Sequence, residues 1–167
     1  MYDKLTEKDI ALMQAELDDR RLNIRPKIME EVKRCRAYGD LSENYEYKAA
    51  KQEQRQNDSR MRYLENMIRT AQVVKEDFKG DGIGLYDRVS VRYPDEDEEE
   101  VFQIVSTVRI DPDAGRISLD SPIGKALLGR KAGDRVTVRL EDGGSYELDI
   151  CSVERSEDDG SAPLTSY

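Results

Sequence analysis

The sequence lacks histidine, has only two cysteines and contains no long apolar run. Without histidine or a converging set of carboxylates, a self-contained metal hydrolase is disfavoured. Cys35 and Cys151 lie far apart, which predicts neither a disulfide framework nor a cysteine metal site and fits a reducing compartment. No segment is apolar enough to span a bilayer, and the N-terminus does not resemble a signal peptide. We therefore expect a cytoplasmic protein without membrane contact.

Basic residues are outnumbered by acidic ones. The chain has 27 lysines and arginines against 36 aspartates and glutamates, a formal net charge of -9. A protein that holds a nucleic-acid duplex by neutralising many phosphates needs a basic face, so this balance argues against that mode of binding. Local basic clusters remain compatible with the composition.

Apolar residues at helical spacing dominate the first half of the chain. In residues 5–37, and again in residues 42–74, they recur three, four or seven positions apart, and the second segment has heptad spacing. Pro26 predicts a kink or restart in the first segment because it has no amide donor. Gly39 is predicted to end that segment in the left-handed conformation. The short link between the segments predicts an antiparallel helical hairpin, a coiled coil over residues 1–77.

The link between the two predicted helices is Gly39-Asp40-Leu41-Ser42-Glu43-Asn44, which carries two carboxylates three residues apart. Asp40 and Glu43 are suited to holding a hard cation such as Mg²⁺ if a partner supplies the missing ligands. The alternative is a capping box, in which Asp40 caps the second helix and Glu43 reaches back to it. Ser42 offers a competing cap. Spacing alone favours capping, and the two roles can coexist.

Strand patterns replace helical ones in the second half of the chain. Three glycines near its start predict a linker over residues 78–84. Alternating segments then predict strands and hairpins within a domain over residues 85–155. The predicted strands cover residues 88–93, 101–105, 135–140 and 146–153. Residues 94–100 are predicted to form a solvated acidic hairpin loop rather than a metal site, and residues 156–167 a disordered tail.

Ser121 and Pro122 predict the start of a short helix between two of these strands. A serine cap, a proline in the first turn and Gly129 after the last turn are typical of helix boundaries. Apolar side chains of this helix are expected to cover the sheet. These are Ile123, Ala126 and Leu127.

Residues 39–44, continued by Glu46-Tyr47 and Ala49-Ala50-Lys51, closely resemble the signature of the bacterial Gre transcript cleavage factors, GreA and GreB. The likeness runs through nearly the whole chain. Its further blocks are Arg25-Pro26-Lys27-Ile28, Leu64-Glu65, Ala71-Gln72-Val73-Val74, Ile117-Ser118 and the segment from Ser121 to Gly129. The resemblance implies an α+β fold: an N-terminal antiparallel helical hairpin, then a small FKBP-like antiparallel β domain with a short helix.

The resemblance also implies a function. Gre factors insert their coiled coil through the secondary channel of bacterial RNA polymerase and stimulate the polymerase's own cleavage of backtracked nascent RNA, which rescues arrested complexes. The chain would therefore not itself be an enzyme. Asp40 and Glu43 would share Mg²⁺ with the polymerase active site, with Ser42 supporting them or acting as a plain cap. No tightly bound cofactor of its own is implied.

Two further contacts are implied by the family. Arg36 and Lys51 would approach the extruded 3′ end of the nascent RNA, the alternative being solvated helix surface with lysine or arginine paired to glutamate. Asp120, Ser121 and Pro122 would dock on the coiled coil of the polymerase's largest subunit, the alternative being structural capping. The chain is expected to act as a monomer.

The sequence departs from the family pattern at Thr6-Glu7-Lys8-Asp9, where relatives commonly carry a glycine after the threonine. The start of the first helix is therefore expected to differ. Lys48 and the limited basic content favour GreA-like over GreB-like behaviour. A Gre-like inhibitor that occupies the same channel without promoting cleavage remains the alternative function, and the intact Asp40 and Glu43 argue against it.

Overall fold

The computed structural model describes residues 2–39, 44–75 and 80–166. The chain divides into two compact units, one of residues 10–71 and one that joins the first nine residues to residues 72–166. The expected spans, 1–77 and 85–155, did not assign the first nine residues to the second unit. A short parallel ladder accounts for the difference, because β1 (Lys4–Leu5) pairs with β2 (Gln72–Val73).

Helices make up the first unit. The helix α1 (Glu7–Asp19) leads through a π-helical turn (Arg20–Ile24) into α2 (Arg25–Arg36), and α3 (Tyr45–Thr70) follows. The irregularity expected at Pro26 takes the form of the π-helical turn, whose last bond runs from the Arg25 amide to the Arg20 carbonyl. Because proline donates no hydrogen bond and its ring crowds the preceding turn, a wider turn before it relieves the clash. In the described part of the chain, no helix has the length and apolarity needed to cross a membrane.

The helices of this unit pack antiparallel, as predicted. Ile28 and Val32 on α2 bury against Ala50 on α3, with Ile24 and Tyr47 packed beside them. Further contacts set the direction, because Cys35 meets Asn44 while the earlier Arg20 meets the later Asn57. The pattern of apolar spacing was sufficient to predict this seam.

Polar contacts continue the seam away from the connection between α2 and α3. The buried Asn57 accepts a hydrogen bond of 2.9 Å from Arg20, and Arg60 donates to Glu16 over 2.7 Å. The hydrogen bond from Arg60 lowers the pKa of Glu16 below its ordinary value; burial opposes it and Arg20 adds to it. Paired polar groups at such positions fix the register of the two helices, because a shift would leave them buried without partners.

The second unit contains, among its described residues, a five-stranded sheet in the order β5-β4-β3-β7-β6. The strands are β3 (Arg88–Arg92), β4 (Glu100–Val105), β5 (Arg116–Ser118), β6 (Arg135–Arg139) and β7 (Ser145–Glu154). The sheet is mixed rather than purely antiparallel, because β5 runs parallel to β4. The connection between them includes a 3₁₀ turn (Pro112–Ala114) and crosses back to the starting end of β4.

The apolar core of this unit lies between the sheet and α4 (Pro122–Leu127). Leu127 is fully buried, and Ile123 and Ala126 pack against the same core, which confirms the predicted covering face. Glycines permit two close approaches here. A Cβ on Gly124 would lie 2.2 Å from the Ser118 carbonyl oxygen, and one on Gly82 would lie 2.4 Å from that of Gly129. Side chains at either position would therefore force these segments apart.

Residues 156–166 depart from the expectation of a disordered tail. The buried guanidinium of Arg109 forms two hydrogen bonds to the Asp158 carboxylate, at 2.8 and 2.9 Å, and a third to the Ala162 carbonyl at 2.7 Å. Further along, the Thr165 amide donates to the Val108 carbonyl over 2.8 Å. A buried guanidinium is costly unless its donors are satisfied, and the tail supplies the acceptors.

The start of α1 takes part in the same cluster. Thr6 and Asp9 form a reciprocal capping pair, in which the Thr6 amide donates to the Asp9 carboxylate and the Asp9 amide donates to the Thr6 hydroxyl. The other oxygen of the Asp9 carboxylate accepts from Arg109 over 3.0 Å. The segment that departs from the family pattern therefore forms a helix cap and a partner for a buried cation.

Candidate functional site

The candidate site is the end of the helical hairpin where α2 connects to α3. Asp40, Ser42 and Glu43, the residues predicted to assist cleavage and to share Mg²⁺, lie outside the described residues. The flanking residues 36–39 and 44–51 are described, and they define how the connection is entered and left.

The end of α2 matches its predicted stop signal. Ala37 is the C-cap, and the Tyr38 amide donates to the Cys35 carbonyl over 3.2 Å. Gly39 has a φ of 100°, a backbone conformation that side chains disfavour. The helix therefore ends at Arg36, and Gly39, just after the C-cap, adopts the predicted left-handed conformation.

The start of α3 corrects the capping prediction. Asn44 is the N-cap, and its side-chain oxygen accepts from the Tyr47 amide over 3.0 Å. Its side-chain amide also donates to the Cys35 carbonyl over 2.8 Å, which ties the two helix ends together. The N-cap of α3 is therefore Asn44, where the alternatives had been Asp40 and Ser42; those two residues lie outside the described part of the chain.

Arg36 and Lys51, predicted to lie near RNA, are brought together around Tyr47. The guanidinium of Arg36 lies 5.9 Å from the Tyr47 ring centroid. A hydrogen bond from Arg36 lowers the pKa of the Tyr47 hydroxyl, burial opposes that shift, and the charges of Arg36 and Lys51 add to it. Lys51 also donates to Gln54 over 3.0 Å, where the alternative had been a pair with glutamate. The two cations therefore form one local positive patch.

The docking segment of the second unit forms a tight turn before α4. The Ser121 hydroxyl accepts from the Gly124 amide over 3.0 Å and donates to the Ser118 carbonyl over 2.6 Å, so Ser121 is a helix cap as the structural alternative required. The Asp120 amide donates to the Ser118 hydroxyl over 3.0 Å. Pro122 occupies the first helical turn. The Asp120 side chain is exposed, so the turn presents it to solvent at a fixed place.

Reasoning from the sequence passed over one residue beside the site, Tyr38. Its ring is 64% exposed, and Arg34 contacts it. The available signal in the sequence was an aromatic residue directly before the helix-ending Gly39.

In the described parts of the chain, no group of three or more histidine, cysteine, aspartate or glutamate side chains is arranged to hold a metal ion.

Two family models match the chain in succession. The model for the N-terminal part of a transcription elongation factor matches residues 4–73, and the model for the C-terminal part of transcription elongation factor GreA/GreB matches residues 79–155. The matched ranges contain the helical hairpin and the five-stranded sheet respectively.

Individual proteins are similar over most of the chain. Transcription elongation factor GreA of Streptococcus pneumoniae serotype 19F (strain G54) is 40% identical over 153 residues, which is 91% of this chain and 95% of that protein. Transcription elongation factor GreA of Oenococcus oeni is 38% identical over 154 residues, 92% of this chain and 95% of that protein. Among solved structures, GreA factor homolog 1 of Thermus thermophilus is 26% identical, with 93% of this chain and all of that chain covered and a TM-score of 0.43.

Proposed function

Because this chain belongs to the GreA/GreB family of transcription elongation factors, we propose that it stimulates the RNA-cleaving activity of bacterial RNA polymerase. The protein enters the secondary channel, reaches backtracked nascent RNA and rescues arrested complexes, while the polymerase remains the catalyst. The observation that supports this most is the hairpin end. There α3 is capped by Asn44, so the Asp40 and Glu43 carboxylates of the connection are not needed for the cap.

Asp40 and Glu43 fit a shared Mg²⁺ site by the chemistry of their donors. Mg²⁺ takes oxygen ligands, keeps several waters and is commonly bound through one or two carboxylates, so a partner must complete the site. Asp40 and Glu43 would hold the ion jointly with the polymerase, and it would supply activation of the attacking water and neutralisation of the leaving oxygen of a phosphodiester. The role of the chain is to deliver two carboxylates on a narrow helical support, with Ser42 beside them to orient a water or a carboxylate.

Arg36 and Lys51 orient the extruded RNA. Both are cations near one ring, and arginine and lysine hold phosphates without reading the base sequence. Such contacts suit a factor that must act on any transcript. The patch is small, which agrees with the acidic balance of the whole chain.

The second unit docks on the largest subunit of the polymerase through Asp120, Ser121 and Pro122. Asp120→Ala tests the contact without disturbing the turn, because the turn is held by the backbone amide of Asp120 rather than by its carboxylate. We expect weaker binding to polymerase from Asp120→Ala, and weaker still from Ser121→Ala with Pro122→Ala. Lys125→Ala, an exposed change on the same helix, serves as the control. Unchanged affinity in both test variants would remove this segment from the interface.

The proposed function is tested on a bacterial RNA polymerase stalled in a backtracked complex with Mg²⁺. Wild-type protein should shorten the transcript from its 3′ end, and Asp40→Ala or Glu43→Ala should lower the cleavage rate by roughly 100-fold or more. Glu53→Ala, which removes an exposed carboxylate on α3, should leave the rate unchanged.

The outcomes separate the function from the mechanism. If wild-type protein blocks nucleotide addition without cutting the transcript, the chain is an inhibitor. If both alanine variants cut like wild type, the chain is a cleavage factor that does not use these carboxylates. The proposal places the protein in the cytoplasm, where bacterial polymerase works, as a monomer with the short cleavage products of GreA-like factors.

A further inference from the structure

Two exposed tyrosines flank the connection that carries Asp40 and Glu43. Tyr38 follows α2 and is 64% exposed, and Tyr45 is the first residue of α3 and is 79% exposed. Moving an aromatic ring out of water is favourable. Two rings with this much exposed surface at one end of a hairpin therefore suit a ligand with flat apolar faces. An unpaired nucleic-acid base is such a ligand.

A cation lies over each ring. The guanidinium carbon of Arg34 is 5.5 Å from the Tyr38 ring centroid, and one of its nitrogens donates to the Tyr38 hydroxyl over 2.8 Å. The Lys48 ammonium is 5.6 Å from the Tyr45 ring centroid. A cation over one face of an exposed ring leaves the other face for a base, and the cation itself can meet the neighbouring phosphate.

Arg34 also has acidic neighbours. Its guanidinium is paired with Glu31 one turn earlier and lies 3.9 Å from the Glu46 carboxylate. Because these pairs are exposed, they contribute little free energy. They position the guanidinium over the ring, and it can still bind a phosphate. With Arg36 and Lys51, the hairpin end gathers four cations in a chain of net charge -9.

Two hydrogen bonds to one carbonyl oxygen, that of Cys35, hold the chain beside both tyrosines. The Cys35 carbonyl oxygen accepts from the Tyr38 amide at 3.2 Å and from the Asn44 side chain at 2.8 Å, and Asn44 directly precedes Tyr45. The two rings are therefore carried by positions that a single buried residue ties together. A pre-positioned pair loses less conformational entropy when a ligand binds than two independent side chains would.

We propose that Tyr38 and Tyr45 are stacking platforms for unpaired bases of the extruded RNA, with Arg34 and Lys48 meeting the phosphates between them. The proposal rests on the proposed function, because the RNA is the 3′ segment displaced by backtracking. Stacking tolerates any base, since every base has a flat face. Duplex nucleic acid is not the occupant, because its bases are not exposed. The rings are positioning residues that hold the RNA while Asp40 and Glu43 assist the chemistry.

The first experiment pairs protein variants with a chemically altered RNA. Backtracked complexes are prepared with a normal or an abasic extruded nucleotide, and the cleavage rate is measured below saturating protein. With the normal RNA, Tyr38→Ala and Tyr45→Ala should each lower the rate about 5-fold or more, and Tyr38→Phe and Tyr45→Phe should retain most of it. The abasic RNA should lower the wild-type rate to that of an alanine variant and change the variants little.

Tyr2→Ala is the matched control, because Tyr2 is 60% exposed but belongs to the other unit. It should cleave both RNAs like wild type. Alanine variants at Tyr38 and Tyr45 that cleave the normal RNA at the wild-type rate would overturn the inference while leaving the cleavage function intact. Phenylalanine variants that lose as much as alanine would also overturn it, since stacking does not need the hydroxyl.

A second measurement separates stacking from cleavage. A fluorescent purine analogue is placed at the extruded position, and quenching is followed when protein with both Asp40→Ala and Glu43→Ala is added. Quenching should occur without cleavage and should be lost when Tyr38→Ala and Tyr45→Ala are added to that background. Quenching that survives the loss of both rings would reject stacking, whatever the cleavage assay shows.

Discussion

Arg109 and Arg36 place the same guanidinium group in opposite surroundings. Arg109 is fully buried in the second unit and is bound by Asp9, Asp158 and the Ala162 carbonyl. Arg36 is exposed at the end of α2, where it lies over the Tyr47 ring. The first group has its acceptors inside the chain. The second can still offer hydrogen bonds to an external ligand.

The difference shows where charge stabilises the fold and where, under the proposed function, it is available to bind RNA. A buried charge must be paired within the molecule, because desolvation otherwise costs several kcal/mol. An exposed charge stays hydrated, so it needs no permanent partner and contributes little to stability. Changes in the buried cluster should therefore act on folding, and, under the proposed function, changes at the hairpin end should act mainly on the binding of RNA and polymerase.

The largest effect on stability is expected from Arg109→Ala. It leaves two buried carboxylates, Asp9 and Asp158, without their cation, and the free energy of unfolding should fall by about 3–5 kcal/mol. Urea unfolding followed by circular dichroism measures the change. Arg135→Ala breaks the exposed pair with Asp149 and should have a far smaller effect. Equal losses in the two variants would erase the distinction between buried and exposed arginines.

The second-largest effect is expected on the pH dependence of stability. Burial raises the pKa of the Asp158 carboxyl, but hydrogen bonds from Arg109 and the Gly160 amide outweigh it and leave the pKa below its ordinary value. A carboxyl whose pKa is lower in the folded protein stabilises it above the unfolded value, about 4, and that contribution is lost as the pH falls through the folded value. Asp158→Asn should therefore be less stable than wild type at pH 7 and lose less stability between pH 5 and pH 3. Parallel pH curves from urea unfolding would contradict this.

A smaller effect is expected at the hairpin end from Asn44→Ala. It removes the cap of α3 and the bond to Cys35, and should cost about 0.5–2 kcal/mol. Asn44→Asp keeps the cap acceptor but not the donor to Cys35, so it should lose less. Thermal unfolding ranks the three proteins. If Asn44→Asp were as unstable as Asn44→Ala, the bond between the helix ends rather than the cap would dominate.

Local signals in the sequence were sufficient for much of the fold. Apolar spacing predicted the helical seam around Ile28 and Ala50, and Gly39 marked the end of α2. Ser121 and Gly129 bounded α4 as expected, since caps and left-handed glycines act within a few residues.

The errors lie where partners are distant in sequence or where neighbours compete. Arg109 meets Asp158 across 49 residues and Asp9 across 100, and no local pattern indicates such a pair. The ordered tail was missed for the same reason. At the candidate site, Asp40, Ser42 and Asn44 can all cap a helix, and spacing could not choose among them. The resemblance to the family supplied the proposed roles of Asp40 and Glu43, which spacing alone had not favoured.

Whether Asp40 and Glu43 share an ion with the polymerase is tested most directly by the Mg²⁺ dependence of transcript cleavage. Backtracked complexes with saturating protein are followed across a Mg²⁺ series, with wild type, Glu43→Gln and the control Glu53→Gln. A shared site predicts that Glu43→Gln raises the half-saturating Mg²⁺ concentration about 10-fold or more, while Glu53→Gln leaves it unchanged. A Glu43→Gln protein that cleaves with the wild-type Mg²⁺ dependence would contradict the shared site.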